Sequence, residues 1–425
     1  MMREDFLHFI WRFKKFNWLN LQTTQGETVE LLQAGTHNTN AGPDFLEAQI
    51  RIGDTLWSGS VEIHVNASEW LAHQHQHDPA YHNVILHVVW ENDKPIQRGQ
   101  TNEAIPTIVL KNRVQGDLLD KYQAILHNQH WIPCQHHFFE VSQLTKSMWL
   151  ERLLVERLER KTALFTEVLA QNKSNWEETF YQILARNFGG KINDEAFHTL
   201  ARSIPLLTLT KHKDNPLQVQ ALLFGQAGLL DEDFEDSYPN SLKKEYAYLR
   251  QKHQLTPIPK SMWRFLRLRP ANFPTIRIAQ FATLIATSVH LFSKTIEHQT
   301  AAHWHEMFQR PLPEYWDTHY VFDKPSKDAK KILGKSTINL LLINAVVPCL
   351  FAYGSFRNEE EYKEKAIQLL ETLKPEQNNI MEGWDALGLQ AQNAAQSQAL
   401  IELKNVYCQK QACLQCAIGN KILKG

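Results

Sequence analysis

Apolar residues change their period once along this chain, near residue 140, and the change confines it to strands first and helices afterwards. Val29 to Gln33, Ala48 to Ile52 and Leu56 to Val65 have strand lengths and patterning, and Gly53-Asp54 supplies a tight turn between the last two. Val84 to Trp90 is almost continuously apolar, as a strand covered on both faces is. Helical spacing flanks these runs: Phe6, Phe9, Ile10 and Phe13 within residues 5–19, then Glu69, Trp70, Leu71 and His73 behind Ser68 as N-cap. Asp78-Pro79 breaks that second helix, and Thr107 to Leu110 adds an edge strand. The order is helix, three strands, helix, strand.

From residue 141 onward the spacing is helical nearly throughout. Val141 to Gln171 carries Leu150, Leu153, Leu154, Leu158 and Phe165 at core spacing. Further helices are expected over 175–188, 193–202, 215–229, 240–253, 274–292, 335–354, 358–373 and 393–405. The fold class is α+β: a mixed-sheet domain over residues 1–130, then a mostly α-helical domain over 131–425 that ends in a cysteine cluster. Ile338 to Gly354 is the longest apolar run, but Asn339, Asn344 and Pro348 interrupt it, so it reads as a core helix and no membrane span is expected. The start is acidic with no apolar stretch behind it, unlike a signal peptide.

Composition matters at two points. Net charge is −1, so the molecule as a whole exerts no pull on a polyanion, and a nucleic-acid partner would need a local patch. Five cysteines, three of them crowded at the C-terminus, make a poor disulfide framework and a better ligand set. That points to the cytoplasm.

The chemistry concentrates early in the chain. Gly42-Pro43-Asp44-Phe45 opens the second strand, and Val61-Glu62-Ile63-His64-Val65 lies on the third. Alternation puts Glu62 and His64 on one face. A hairpin across Gly53-Asp54 brings Asp44 towards Glu62, and two such carboxylates can hold a hard divalent cation able to activate water. Pro43-Asp44 with Glu62-Ile63-His64 resembles the PD-(D/E)xK superfamily of restriction-endonuclease-like folds, and the order of elements is similar as well. That resemblance implies a nuclease in which Asp44 and Glu62 bind Mg²⁺ or Mn²⁺. His64 would stand where the family has lysine, and a neutral imidazole brings no fixed charge there. A non-catalytic nucleic-acid or protein-binding module on the same fold is the alternative.

Three other groups of residues stay open. His73 and His77 are four apart, and with His64, His87 and Glu62 they offer a rival zinc-hydrolase set, although no His-Glu-x-x-His motif is present. Cys408, Cys413 and Cys416, joined by Cys134, can clasp zinc or an iron–sulfur cluster. Some PD-(D/E)xK nucleases carry a similar staple, but their lone cysteine precedes the catalytic core, whereas Cys134 follows it. Arg267, Arg269 and Arg277 alternate with aromatic residues, which suits either phosphate contacts or internal ion pairs. Over the full length, Asn40-Ala-Gly-Pro-Asp-Phe45, Gly59-Ser-Val-Glu-Ile-His64, Leu223-Phe-Gly-Gln-Ala-Gly-Leu-Leu230, Arg267-Leu-Arg-Pro-Ala-Asn-Phe-Pro274 and the cysteine tail resemble a bacterial family of unknown function found mainly in Bacteroidetes.

Overall fold

A computed structural model describes every residue except Met1, Thr39, Gln100, Asn102, Gln115, Gln129, Val289, His298, Gln299 and Gly425. Helix α1 (Glu4–Arg12) turns Phe6, Leu7, Phe9, Ile10 and Trp11 inward, with acids in its first turn and Arg12 in its last, as the helix dipole favours. It is shorter than the apolar spacing suggests. Lys14 adopts a left-handed φ of 49°, and Trp11 stacks on Phe16 at 5.8 Å, so the chain doubles back.

The sheet strands are β1 (Val29–Gln33), β2 (Thr36–His37), β3 (Phe45–Ile52), β4 (Thr55–Asn66), β5 (Val84–Glu91) and β6 (Thr107–Val109). Their order is β1-β3-β4-β5-β6, with the short β2 also paired to β3. β3 runs antiparallel to β1 and β4, while β5 runs parallel to β4 and β6, so the sheet is mixed as expected. Between β4 and β5 lies α2 (Glu69–Ala72), a single turn where a longer helix was anticipated. α3 (Gly116–His127), which the sequence pattern did not reveal, follows β6.

Both faces of β4 are covered, which explains its run of buried residues from Gly59 to His64. On one face Val61, Ile63, Leu86, Val88 and Ile108 join Phe6, Phe9 and Ile10 of α1, Tyr122 and Ile125 of α3, and Cys413 and Leu423 of the tail. Each large side chain buried there contributes about 1.5–3 kcal/mol. On the other face Trp70 packs with Ala67, Val84, Val89, Ile96 and Ile105. Gly59 is fixed by crowding, because a Cβ there would lie 2.6 Å from the Asn83 carbonyl oxygen.

Two compact units result: Met1–Trp149 with Lys404–Gly425, and Leu150–Leu403. The cysteine tail therefore belongs to the unit that holds the sheet. α4 (Gln143–Gln171) begins in the first unit and continues into the second, where the regular elements among the described residues are helices and a two-stranded ribbon of His319–Val321 and Lys324–Pro325. Within the second unit the long apolar run forms Lys335–Leu341, a π turn over Leu342–Val346, and Val347–Arg357. Pro348 has no N–H to give, which suits a widened turn just ahead of it. This stretch, Lys335–Arg357, is long and apolar enough to cross a membrane, yet 72% of its most apolar window is buried inside the unit. It is the core helix that the interrupting polar residues suggest.

Candidate metal centre

β3 and β4 set the site by register. Phe45 lies opposite Val61, so the antiparallel pairing brings Asp44, just ahead of β3, beside Glu62. The backbone ties the two together in both directions. Asp44 N–H donates to Glu62 Oε2 at 3.1 Å, and Ile63 N–H donates to Asp44 Oδ2 at 2.9 Å. Glu62 is 4% exposed, and burial together with the Asp44 carboxylate pushes its pKa up to about 9. Glu4 of α1 joins the acids: burial, then Asp44, raises it to about 7.

Histidines surround this pair. His8 of α1 sits with Nε2 3.2 Å from Asp44 Oδ2; burial lowers its pKa, but the bond and the charge of Asp44 outweigh that and raise it. Glu62 Oε1 lies 3.3 Å from His75 Nε2 and 3.7 Å from His64 Nε2. His64 Nε2 is also 3.3 Å from His73 Nδ1, and His64 Nδ1 is 2.9 Å from His87 Nε2. His64, His73 and His75 each offer a nitrogen within 4.8 Å of the other two. Burial, followed by the neighbouring imidazoles, depresses His64 to about 2, and burial depresses His87 to about 3. Both shifts favour the neutral ring, which is the form that binds metals.

Of the expected carboxylate-site residues, Asp44, Glu62 and His64 thus come together. The histidine set departs from expectation at His77. α2 stops at Ala72, Gln74 takes a left-handed φ of 61°, and a 3-10 turn follows over His75–His77. His73 and His77 consequently do not share a helix face, His77 is exposed, and His75 occupies the place beside His64. His87 meets the cluster through His64, and its own Nδ1 is buried without a partner. His8 and Glu4 were missed. The available signal was a histidine set among Phe6, Phe9 and Ile10 on an apolar helix face.

The other candidates lie elsewhere. Cys134, Cys408, Cys413 and Cys416 are all buried, free and in the first unit. Burial and mutual proximity raise the thiols of Cys134 and Cys413 to about 12, and burial with the same neighbours raises Cys408. In the second unit Arg267 and Arg269 are exposed, Arg267 with a left-handed φ of 65°. Arg277 is half-buried and spends its guanidinium on Gln280, Asn272 and Thr337.

No curated protein and no solved structure matches this chain. A family model does match, over residues 4–379, which takes in every acid and histidine of the centre and ends ahead of Cys408. The chain belongs to that family, described as protein of unknown function (DUF2851).

Proposed function

We propose that the first unit is a metal-dependent hydrolase of nucleic-acid phosphodiester bonds, with Asp44 and Glu62 as ligands of Mg²⁺ or Mn²⁺. One observation carries the reading: two largely buried carboxylates meet, and among the described residues their ion-pair partners are histidines alone, never lysine or arginine. Burial and then the Asp44 carboxylate raise the pKa of Glu62, and a hard divalent ion has the charge that suits two carboxylates held together. Such an ion, when bound, would activate water and offset charge on the phosphoryl oxygens. The order α1, β1 to β4, α2, β5 and β6, in which β5 runs parallel to β4 and Asp44 leads into β3 with Glu62 on β4, also supports a restriction-endonuclease-like domain.

The protein's own groups divide the remaining work. His8 Nε2 stands 3.2 Å from Asp44 Oδ2, a place from which an imidazole can pass a proton. His64, kept neutral, supplies no fixed charge in the position the resemblance gives to lysine. That fact favours the second reading, a non-catalytic nucleic-acid or protein-binding module. Substrate contact has support in the same unit, where Lys14, Lys15, Lys121 and Lys424 line a cavity of about 570 Å³. Exposed Arg267 and Arg269 offer phosphate contacts in the second unit.

Cys134, Cys408, Cys413 and Cys416 are read as a second ligand set, for zinc or an iron–sulfur cluster. Charge supports this. Lys146 and Lys404 are 5% and 8% exposed, and neither pairs with a carboxylate among the described residues. The thiols of Cys134 and Cys408 are the acidic groups that act on them. Four thiolates on a divalent ion carry a net charge of about −2, which two ammonium groups balance. Five free cysteines suit a reducing compartment, supporting a cytoplasmic protein.

Cleavage assays on single- and double-stranded DNA and RNA with added Mg²⁺ or Mn²⁺ test the hydrolase. Wild type is expected to cleave in a cation-dependent way, with a loss of about 100-fold or more in Asp44→Asn and Glu62→Gln. Retained activity in both variants overturns the site, and no cleavage of any substrate by wild type moves the assignment to the binding module.

A further inference from the structure

Glu62 presents its two oxygens to two different sets of neighbours. Oε2 faces Asp44, whereas Oε1 faces His75 and His64. We propose that Glu62 Oε1, His64 Nε2, His73 Nδ1 and His75 Nε2 form a second metal seat, for zinc or a similar divalent transition ion, and that Glu62 bridges it to the hard-cation seat at Asp44. The bridging role rests on the hydrolase reading above; the histidine seat does not.

Distances carry the argument. A tetrahedral site with bonds of about 2.0–2.1 Å has ligand atoms about 3.3 Å apart. Here His64 Nε2 to His73 Nδ1 is 3.3 Å, His75 Nε2 to Glu62 Oε1 is 3.3 Å, and His64 Nε2 to Glu62 Oε1 is 3.7 Å. Three imidazoles with one carboxylate are the donors that zinc takes in hydrolases, and hard ions such as Mg²⁺ prefer oxygen.

The surroundings fit the same role. A metal-bound histidine usually donates its other ring N–H to a partner that fixes its orientation. His87 Nε2 stands 2.9 Å from His64 Nδ1 and can accept that proton, which leaves His64 Nε2 free to bind. His75 is held flat by stacking on Tyr81 at 3.8 Å and by the edge of Trp70. His73 is exposed, so an ion and a water molecule can enter from solvent. A purely structural histidine cluster would be expected to anchor on backbone carbonyls. The described bonds of these ring nitrogens run to one another and to Glu62 instead.

The test uses the full chain, stripped with a chelator and titrated with Co²⁺, then with Zn²⁺ in competition. In a Cys413→Ser/Cys416→Ser background the chain is expected to develop the visible bands of four-coordinate cobalt without thiolate charge-transfer absorption, which separates this seat from the cysteines. His73→Ala and His75→Ala should each weaken that signal by 100-fold or more in metal concentration. His73 is exposed, so its variant keeps the core intact and carries the test if His75→Ala fails to fold. An unchanged cobalt spectrum and zinc affinity in His73→Ala overturns the seat. Asp44→Asn is expected to keep the cobalt spectrum while losing Mg²⁺-dependent cleavage. If that background gives the cobalt bands but wild type cleaves nothing, the nuclease reading fails and the seat stands.

Discussion

Glu62 and Glu402 are the same residue type at similar burial, 4% and 2% exposed, and their environments drive them in opposite directions. Glu62 has acids and histidines around it and is pushed towards its neutral form. Burial also pushes Glu402 up, but the guanidiniums of Arg160 and Arg157 overcome that and hold its carboxyl below the usual 4.5. Arg157 reaches Glu402 Oε2 at 3.1 Å with both groups largely buried, whereas Arg160 is half-exposed and more screened. Removing one partner of a buried pair strands the other, so Glu402→Ala is expected to destabilise the second unit by about 3–5 kcal/mol in urea unfolding. The pH dependence has a definite sign. With the folded pKa lowered, the pair contributes fully above about pH 4.5, and the contribution disappears as pH falls through the folded value. Wild type should therefore lose stability below that pH, and Glu402→Ala should lose less. The sequence made Asp44, Glu62 and His64 legible because strand alternation and one hairpin suffice to place them. His8 was legible only as a histidine on an apolar helix face, since nothing local to α1 announces that it faces a carboxylate more than thirty residues further along the chain.

Elements were readable where burial imposes a plain period. β3, β4 and β5 are buried often enough that their apolar runs mark them, and the Gly53-Asp54 turn fixes the pairing of the first two. β2, two residues long, has too little chain to show a period, and α3 hides three buried residues, Leu118, Tyr122 and Ile125, among polar ones. The most consequential misreading is α2. Its helical composition runs on past Ala72, but the left-handed Gln74 ends it and re-aims the histidines. A left-handed residue with a side chain costs about 1–2 kcal/mol, and glycine avoids that cost. Gln74→Gly is thus expected to raise the melting temperature slightly and to leave zinc binding unchanged. Gln74→Val should lower the melting temperature and weaken zinc binding together, because a β-branched residue favours a backbone that turns His75 away from His64. Melting followed by metal titration of the two variants checks both. Equal zinc affinity in Gln74→Val would mean that the turn does not set the seat.

At the scale of the molecule, the chain leaves the first unit at Trp149 and returns to it at Lys404. Periodicity cannot disclose such a return, because the pattern of the tail is the same whichever unit it joins. What holds it is specific. Cys413 and Leu423 enter the same core as Phe6 and Tyr122, Gln411 donates to the Leu126 carbonyl at 2.9 Å, and Lys15 to that of Lys424 at 3.2 Å. Gly419 lies so close to Cys413 that a Cβ would approach its carbonyl oxygen to 2.2 Å. The four thiols come from both ends of this discontinuous unit, so a metal on them would close it. Structural zinc contributes on the order of 10 kcal/mol in small domains, and even a fraction of that would dominate here. The double variant Cys413→Ser/Cys416→Ser is therefore expected to lose bound metal. Amide hydrogen-exchange protection should fall in α1 and β5, while the helix Pro216–Gln226 of the second unit exchanges as in wild type. A variant that loses no metal and keeps its protection would reduce the cysteines to buried thiols. Equal loss of protection in both units would instead mean that the two unfold as one, and the tail would then be a keystone for the whole chain.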